Sequence, residues 1–360
     1  MRISLATAAT FAALAASASA QDVVHVYNWS DYIDESILEE FEAETGIDVV
    51  YDVFDSNELL ETKMLAGGSG YDIVVPTGSF LQRQIQAGVF QPLDKSKLSN
   101  LDNMWPAISE RTSTYDPGNE YSINYMWGTT GVGYNVDAVQ ERLGTDSVES
   151  WDVIFKPEII AQFADCGIHV LDAPTELLPA ALNYLGYDGD SHEIEQIEEA
   201  AALIQEIRPH ITQFHSSQYI NALANGDICL AIGWSGDVLQ ARDRAIEADN
   251  EVRVEYSIPN EGALMWFDQM AIPSDAPNPD AAHAFLDYIM RAEVIAKASN
   301  YVYYANGNLA SKPFLNDDVI NDPAIYPPEE AVENLYVTTP YPPRIQRQVT
   351  RLWTRIKTGS

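Results

Sequence analysis

Between residues 23 and 76 the chain alternates short apolar runs with helix-patterned stretches, and no other feature narrows its fold as far. "VVHVYNW" (23–29) is apolar enough for a buried strand. "ESILEEFEAETG" (35–46) places Ile37, Leu38 and Phe41 on one helical face and ends on Gly46, a helix-stopping residue. "IDVVYDVF" reads as a second strand, "SNELLETKMLAGG" as a second helix and "YDIVVP" as a third strand. This order predicts an α/β fold, a sheet with helices on its faces. Ligands of such folds bind in loops beyond the carboxyl ends of strands. Trp29-Ser30-Asp31-Tyr32 and "PTGSF" (76–80) both occupy that position.

The later chain keeps the style. "GTTGVGYNV" reads as a strand relieved by glycines, and "HVLDAP" as a strand ending in a turn. "HEIEQIEEAAALIQEIRPHI" reads as a helix with Ile194, Ile197, Ala201, Ile204 and Ile207 on one face and a solvated acidic face opposite. "DICLAIGWSGD" is a buried strand whose end presents Trp234 and Asp237; "GALMWFDQMAIP" presents Trp266 and Asp268, and "YVYYANGN" presents Tyr301, Tyr303 and Tyr304. The basic residues of "RIQRQVTRLWTRIKTGS" are expected to belong to a helix end packed on the acidic body.

"MRISLATAATFAALAASASA" has Arg2, a short apolar run and the small-x-small signature Ala18-Ser19-Ala20. Residues 1–20 are therefore expected to be an export leader, too short and alanine-rich to span a bilayer. No Cys follows the cleavage site, so a lipid anchor there is not expected, and with the leader removed no direct membrane insertion is expected. About 340 residues remain, more than a single core usually supports, which predicts two lobes. Cys166 and Cys229 stand far apart beside apolar residues. Export favours a disulfide between them over two buried thiols. With 54 acidic against 20 basic residues the formal net charge is −34, which argues against nucleic acid as a partner. Such acidity concentrates cationic ligands, and adaptation to a salty medium explains the total equally well.

Enzyme signatures are thin. "GWSGD" (233–237) approaches the nucleophile elbow around Ser235, but Asp237 stands where the last glycine is needed, so a strand end with a turn is the better reading. H-E-x-x-H, G-x-G-x-x-G and P-loop patterns are missing, and no metal or cofactor is expected. The recurring pairing of Trp or Tyr with Asp is chemically coherent instead. An alkyl diammonium ion needs carboxylates at its ends and aromatic faces along its middle. Each cation–π contact contributes ~0.5–2 kcal/mol, and charge-assisted hydrogen bonds exceed neutral ones. Any one of these aromatics alone reads as core packing; their recurrence at strand ends points to a site.

"VYNWSDYI", "VVYDVFDSNELLETKMLAGGSGYDIVVPTGSFLQRQIQAGVFQPLDKSKL", "YMWGTTGVGYNVD", "HSSQYINALANGDICLAIGWSGD" and "IYPPEE" resemble the periplasmic polyamine-binding proteins of putrescine and spermidine ABC importers. The likeness covers nearly the whole chain after the leader. It implies a non-enzymatic, two-lobed periplasmic binding protein fold (type II), each lobe a sheet flanked by helices, joined by hinge crossings. The lobes are expected at 21–126 with 247–313 and at 127–246 with 314–360. The resemblance implies Trp29, Ser30, Asp31 and Tyr32 as the first wall of a polyamine site, with Thr77 lining it. Glu176, Ser216, Trp234 and Asp237 would come from the second lobe, and Trp266, Asp268 and Tyr304 from the first. It also implies a Cys166–Cys229 bridge. The implied partners are a polyamine and the inner-membrane ABC permease subunits, with the binding protein a periplasmic monomer. Trp266 matches the spermidine type, where the putrescine type has Phe. Ser30 and Asp31 match the putrescine type, where the spermidine type shows Thr and Glu. The chain mixes both patterns, which leaves open one amine or breadth for both. Rival readings are a same-fold receptor for another cation or an oligopeptide, a sensor without a transporter, and a secreted hydrolase using Ser235.

Overall fold

In the computed structural model, which describes residues 22–359, the opening alternation folds as its pattern demands. Val23–Trp29 forms β1, Asp48–Phe54 β2 and Ile73–Val74 β3, with β1 lying parallel between the other two. The helix Glu35–Thr45 is capped by the Asp34 side chain and stops at Gly46, whose φ of 73° glycine adopts without strain. Ile37 and Phe41 are its buried residues, and Phe41 meets Phe285 edge-on at 5.2 Å. Residues 1–20, the expected leader, lie outside the described residues. Among the described residues no helix is long and apolar enough to cross a membrane.

Ser122–Asn135 forms β4, Ile168–Val170 β5, Gln213–Phe214 β6, Leu230–Trp234 β7, Val254–Ser257 β8, Ala263–Ala271 β9, Ala305–Asn306 β10 and Leu335–Tyr336 β11. The sheet runs β2-β1-β3-β9-β4-β7-β5-β6, with β8 and β10 paired to β4 and β11 to β9. Every residue of β9, and all of β4 but Asn135, is buried. Both strands run through two hydrophobic clusters. One gathers Val24, Ile37, Phe41, Ile73 and Phe285; the other gathers Trp151, Phe155, Leu178, Ile204 and Ile232. The β4 segment from Ser122 to Thr130 pairs with β9, and its end from Thr130 to Tyr134 pairs with β7. Two sheets expected in separate lobes thus share β4 and join into one ladder. Val254 and Tyr256, in the stretch assigned to the first lobe, pack with the second cluster because β8 pairs with the end of β4.

Cys166 and Cys229 are disulfide-bonded with Cα atoms 5.6 Å apart. The bridge staples the starts of the parallel neighbours β5 and β7, where the Cys229 amide donates to the Gly167 carbonyl at 3.0 Å. The last helix, Pro343–Thr358, buries Val349, Leu352, Trp353 and Ile356. The expectation that its basic residues pack on the acidic body is met by Lys357, paired with Asp172 at 2.6 Å. It is not met by Arg344, Arg347, Arg351 and Arg355, which are exposed and rotated away from the buried face.

Candidate functional site

The largest group of expected residues converges on one cleft, where the carboxyl end of β1, the start of helix Gly78–Gln86, β7 and β9 meet. The space between its walls is about 440 Å³, open solvent at the mouth included. Trp29 is buried, its indole N–H donating to the Val75 carbonyl at 2.9 Å. Its ring meets Trp234 edge-on at 5.5 Å, and Trp234 packs against both clusters. Ser30 also lines it, its amide fixed on the Phe54 carbonyl at 2.9 Å.

Three buried carboxylates line this cleft, and each is placed by its element. Asp268 lies on β9, 4% exposed; it accepts from the Tyr32 hydroxyl at 2.8 Å and the Thr77 hydroxyl at 2.6 Å. Asp237 sits in the first turn of helix Ser235–Glu247 and accepts from the Tyr219 and Tyr304 hydroxyls, each at 2.7 Å. Glu176 sits in the first turn of helix Pro174–Tyr184 and accepts from the Thr130 hydroxyl at 2.5 Å. The first turn of a helix favours negative charge. Burial opposes it at all three positions and wins. It pushes Glu176 up to about 8, Asp268 to about 7 and Asp237 to about 6, despite the hydroxyl donors that favour the ionised forms.

The walls between the acids are aromatic. Trp266 meets Tyr304 edge-on at 5.3 Å, and Tyr304 meets Tyr32 at 5.2 Å. Two glycines permit these approaches. A Cβ on Gly128 would lie 2.7 Å from the Trp266 ring, and one on Gly236 would lie 2.5 Å from the Tyr304 ring. Gly236 therefore lets the helix start close enough for Tyr304 to reach Asp237. Among the described residues, the cleft lining contains no Lys, Arg or His. Buried carboxylates with no cation beside them are costly. The arrangement is chemically a receptor for a cation with an apolar middle.

Thr77, Ser216, Trp234 and Tyr304 join the cleft as expected, while Tyr301 is 56% exposed outside it. Asp31 does not line the cleft, which corrects its place in the first wall. It adopts φ 54°, and its carboxylate accepts from Arg244 at 2.7 Å outside the cleft. Asp55 and Asn57 were missed. Asn57 exchanges two hydrogen bonds with Thr77, from the Thr77 amide at 3.0 Å and to its hydroxyl at 2.9 Å, and so orients the donor to Asp268. Both follow the end of β2, the same criterion that singled out Trp29 and Thr77. "FDSNE" reads as an ordinary helix cap and concealed them. Among the described residues no group of His, Cys, Asp and Glu is arranged to hold a metal ion.

A family described as bacterial extracellular solute-binding protein matches residues 36–327. The putrescine-binding periplasmic protein SpuD of Pseudomonas aeruginosa strain UCBPP-PA14 is 52% identical over 345 residues, covering 96% of this chain and 94% of the relative. The putrescine-binding periplasmic protein PotF of Escherichia coli K12 is 51% identical over 344 residues, covering 95% and 93%. The solved spermidine/putrescine ABC transporter substrate-binding protein PotD of Streptococcus pneumoniae superposes with a TM-score of 0.76 at 31% identity, covering 94% of this chain and 99% of that one.

Proposed function

The chain belongs to the bacterial extracellular solute-binding proteins, and from that membership we propose that it captures a polyamine in this cleft and delivers it to an ABC permease. The observation that carries the reading is the trio Glu176, Asp237 and Asp268, buried among aromatic faces with no basic side chain in the lining. A diamine brings the missing positive charges and lays its methylenes against Trp29, Trp234 and Trp266. The tighter claim is that Ser30, Tyr32, Asp55, Thr77, Ser216 and Tyr304 complete the contact surface. Relatives named for putrescine at over half identity make putrescine the first ligand. Trp266 adds the larger stacking face on which spermidine is accepted as well.

The mechanism is closure. The two hydrophobic clusters act as lobes, β4 and β9 among the crossings between them, and the ligand favours the closed arrangement by touching acids from both. The relatives are periplasmic solute-binding proteins. On our reading this chain works in the same compartment, with residues 1–20 as its leader and a monomer as its working unit. No catalytic step is assigned. Ser235 is 1% exposed and its hydroxyl accepts from the Thr129 amide at 3.4 Å, a helix-start contact rather than an activated nucleophile. Calorimetry of the purified protein against putrescine, cadaverine, spermidine and spermine tests the reading. Saturable one-to-one binding of putrescine supports it, and silence toward all four overturns it.

A further inference from the structure

We propose that the outer face of the last helix, Pro343–Thr358, docks on an acidic protein surface, that of the membrane permease receiving the ligand. The inference rests on the function proposed above, which supplies the partner. Among the described residues, every Lys and Arg outside this helix has a polar, ionic or aromatic partner. Arg83 pairs with Glu61, Arg142 with Asp165, Arg242 with Asp322 and Arg291 with Glu44, while Lys63 meets Tyr71 and Lys312 lies over Trp105. Within the helix Lys357 pairs with Asp172. Arg344, Arg347, Arg351 and Arg355 are exposed and have no ionic, hydrogen-bonded or aromatic partner among the described residues.

Their spacing of three, four and four places all four on one stripe, extending over roughly 16 Å at 1.5 Å per residue. The opposite face is locked into the second cluster by Val349, Leu352, Trp353 and Ile356, so the helix cannot turn to bring the arginines inward. In a chain with 54 acidic residues, four neighbouring arginines with no ion pair among the described residues are a local departure, even though Glu198 shares a groove with Arg355. Like charges at these spacings repel and cost the isolated helix a little stability, which a partner's anionic groups would recover.

The chemistry favours a carboxylate-bearing protein. The guanidinium fork binds carboxylates and phosphates alike, so the choice between protein and lipid rests on the charge of the rest of the chain. A bare anionic bilayer would attract the stripe but repel the rest of a chain carrying −34, whereas a limited acidic patch on a protein would not. The location fits delivery. Gln346, Thr350 and Trp353 of the same helix line a chamber that shares Asp55 and Ser216 with the ligand cleft. The helix that carries the stripe therefore lies next to a chamber adjoining the ligand cleft.

The test is the double variant Arg347→Glu/Arg351→Glu in the full mature chain, with Arg347→Lys/Arg351→Lys as its conservative control. Putrescine binding by calorimetry is expected to be unchanged in both, since neither residue lines the cleft. Stimulation of the cognate permease–ATPase complex, held in phosphatidylcholine nanodiscs, is expected to need about tenfold more of the Glu variant, with a shallower salt dependence. The Lys variant is expected to lie closer to the native protein. Unchanged stimulation by the Glu variant overturns the docking surface. Flotation of the native protein, but not the Glu variant, with phosphatidylglycerol vesicles lacking permease also overturns it, assigning the stripe to lipid. Failure of the native protein to bind putrescine overturns the functional reading beneath both.

Discussion

Asp31 Oδ1 accepts a hydrogen bond from Arg244 Nη2 at 2.7 Å, tying the turn after β1 to the helix that begins at Ser235. The Asp31 carbonyl also accepts from Gln240 Nε2 at 3.3 Å. The pair joins the two segments outside the cleft lining. The Arg244 and Asp31 side chains are 32% and 43% exposed, so an interaction of this kind is worth ~0–1 kcal/mol. Arg244→Ala is expected to weaken putrescine binding less than about fivefold, and less still in high salt. A loss as large as that of a cleft carboxylate would place the ligand against this pair.

Asp268→Asn removes a buried charge that the ligand would pair, at an expected cost of ~2–5 kcal/mol in binding. Stability of the empty protein should move the other way. An acid whose folded value is raised to about 7 keeps its proton where the unfolded chain has lost it, so its contribution falls as pH rises between about 4 and 7. Asn carries no such penalty. Thermal melts without ligand should therefore show the variant gaining on the native protein between about pH 5 and pH 8. A gap independent of pH would mean that Asp268 ionises as an ordinary surface acid.

Trp266→Phe separates stacking from packing. The indole edge meets Tyr304, Gly128 leaves room for the ring, and the indole N–H is buried without a protein partner. Phe removes that unsatisfied donor along with part of the aromatic face. If the larger face serves the triamine, spermidine affinity should fall by roughly 1 kcal/mol more than putrescine affinity. Equal losses for both amines would leave Trp266 as a filler of space.

Removing the staple is expected to cost stability and spare the site. Cys166 and Cys229 close a loop of 63 residues, for which chain entropy gives about 3–5 kcal/mol. The double Ala variant should melt earlier at unchanged putrescine affinity. Lost binding in a still-folded variant would mean that the bridge itself holds the cleft geometry.

Much of this was legible because the site obeys the strand-end rule. Trp29, Thr77 and Trp234 all follow apolar runs, and β1 and β7 begin or end where the pattern changes. Periodicity could not find the two-residue β10 and β11, whose pairing comes from the long strands they join. The first half of β4 was hidden because "SINYMW" lacks alternation when both faces are buried. Asp31 misled because identity is written in the sequence and a φ of 54° is not. The unpaired arginines were equally hidden, since helical spacing shows a stripe but not whether an acidic neighbour covers it.

The most direct test of the central claim, that buried carboxylates take the charge of a cationic ligand, is a putrescine titration near neutral pH in two buffers of different ionisation enthalpy. In the free protein Glu176 and Asp268 hold their protons up to about 8 and about 7, and a bound ammonium favours the ionised forms. The predicted result is one-to-one binding that releases protons and tightens as pH rises from about 6 to 8. Heats that do not depend on the buffer, or affinity that falls over that range, would contradict it.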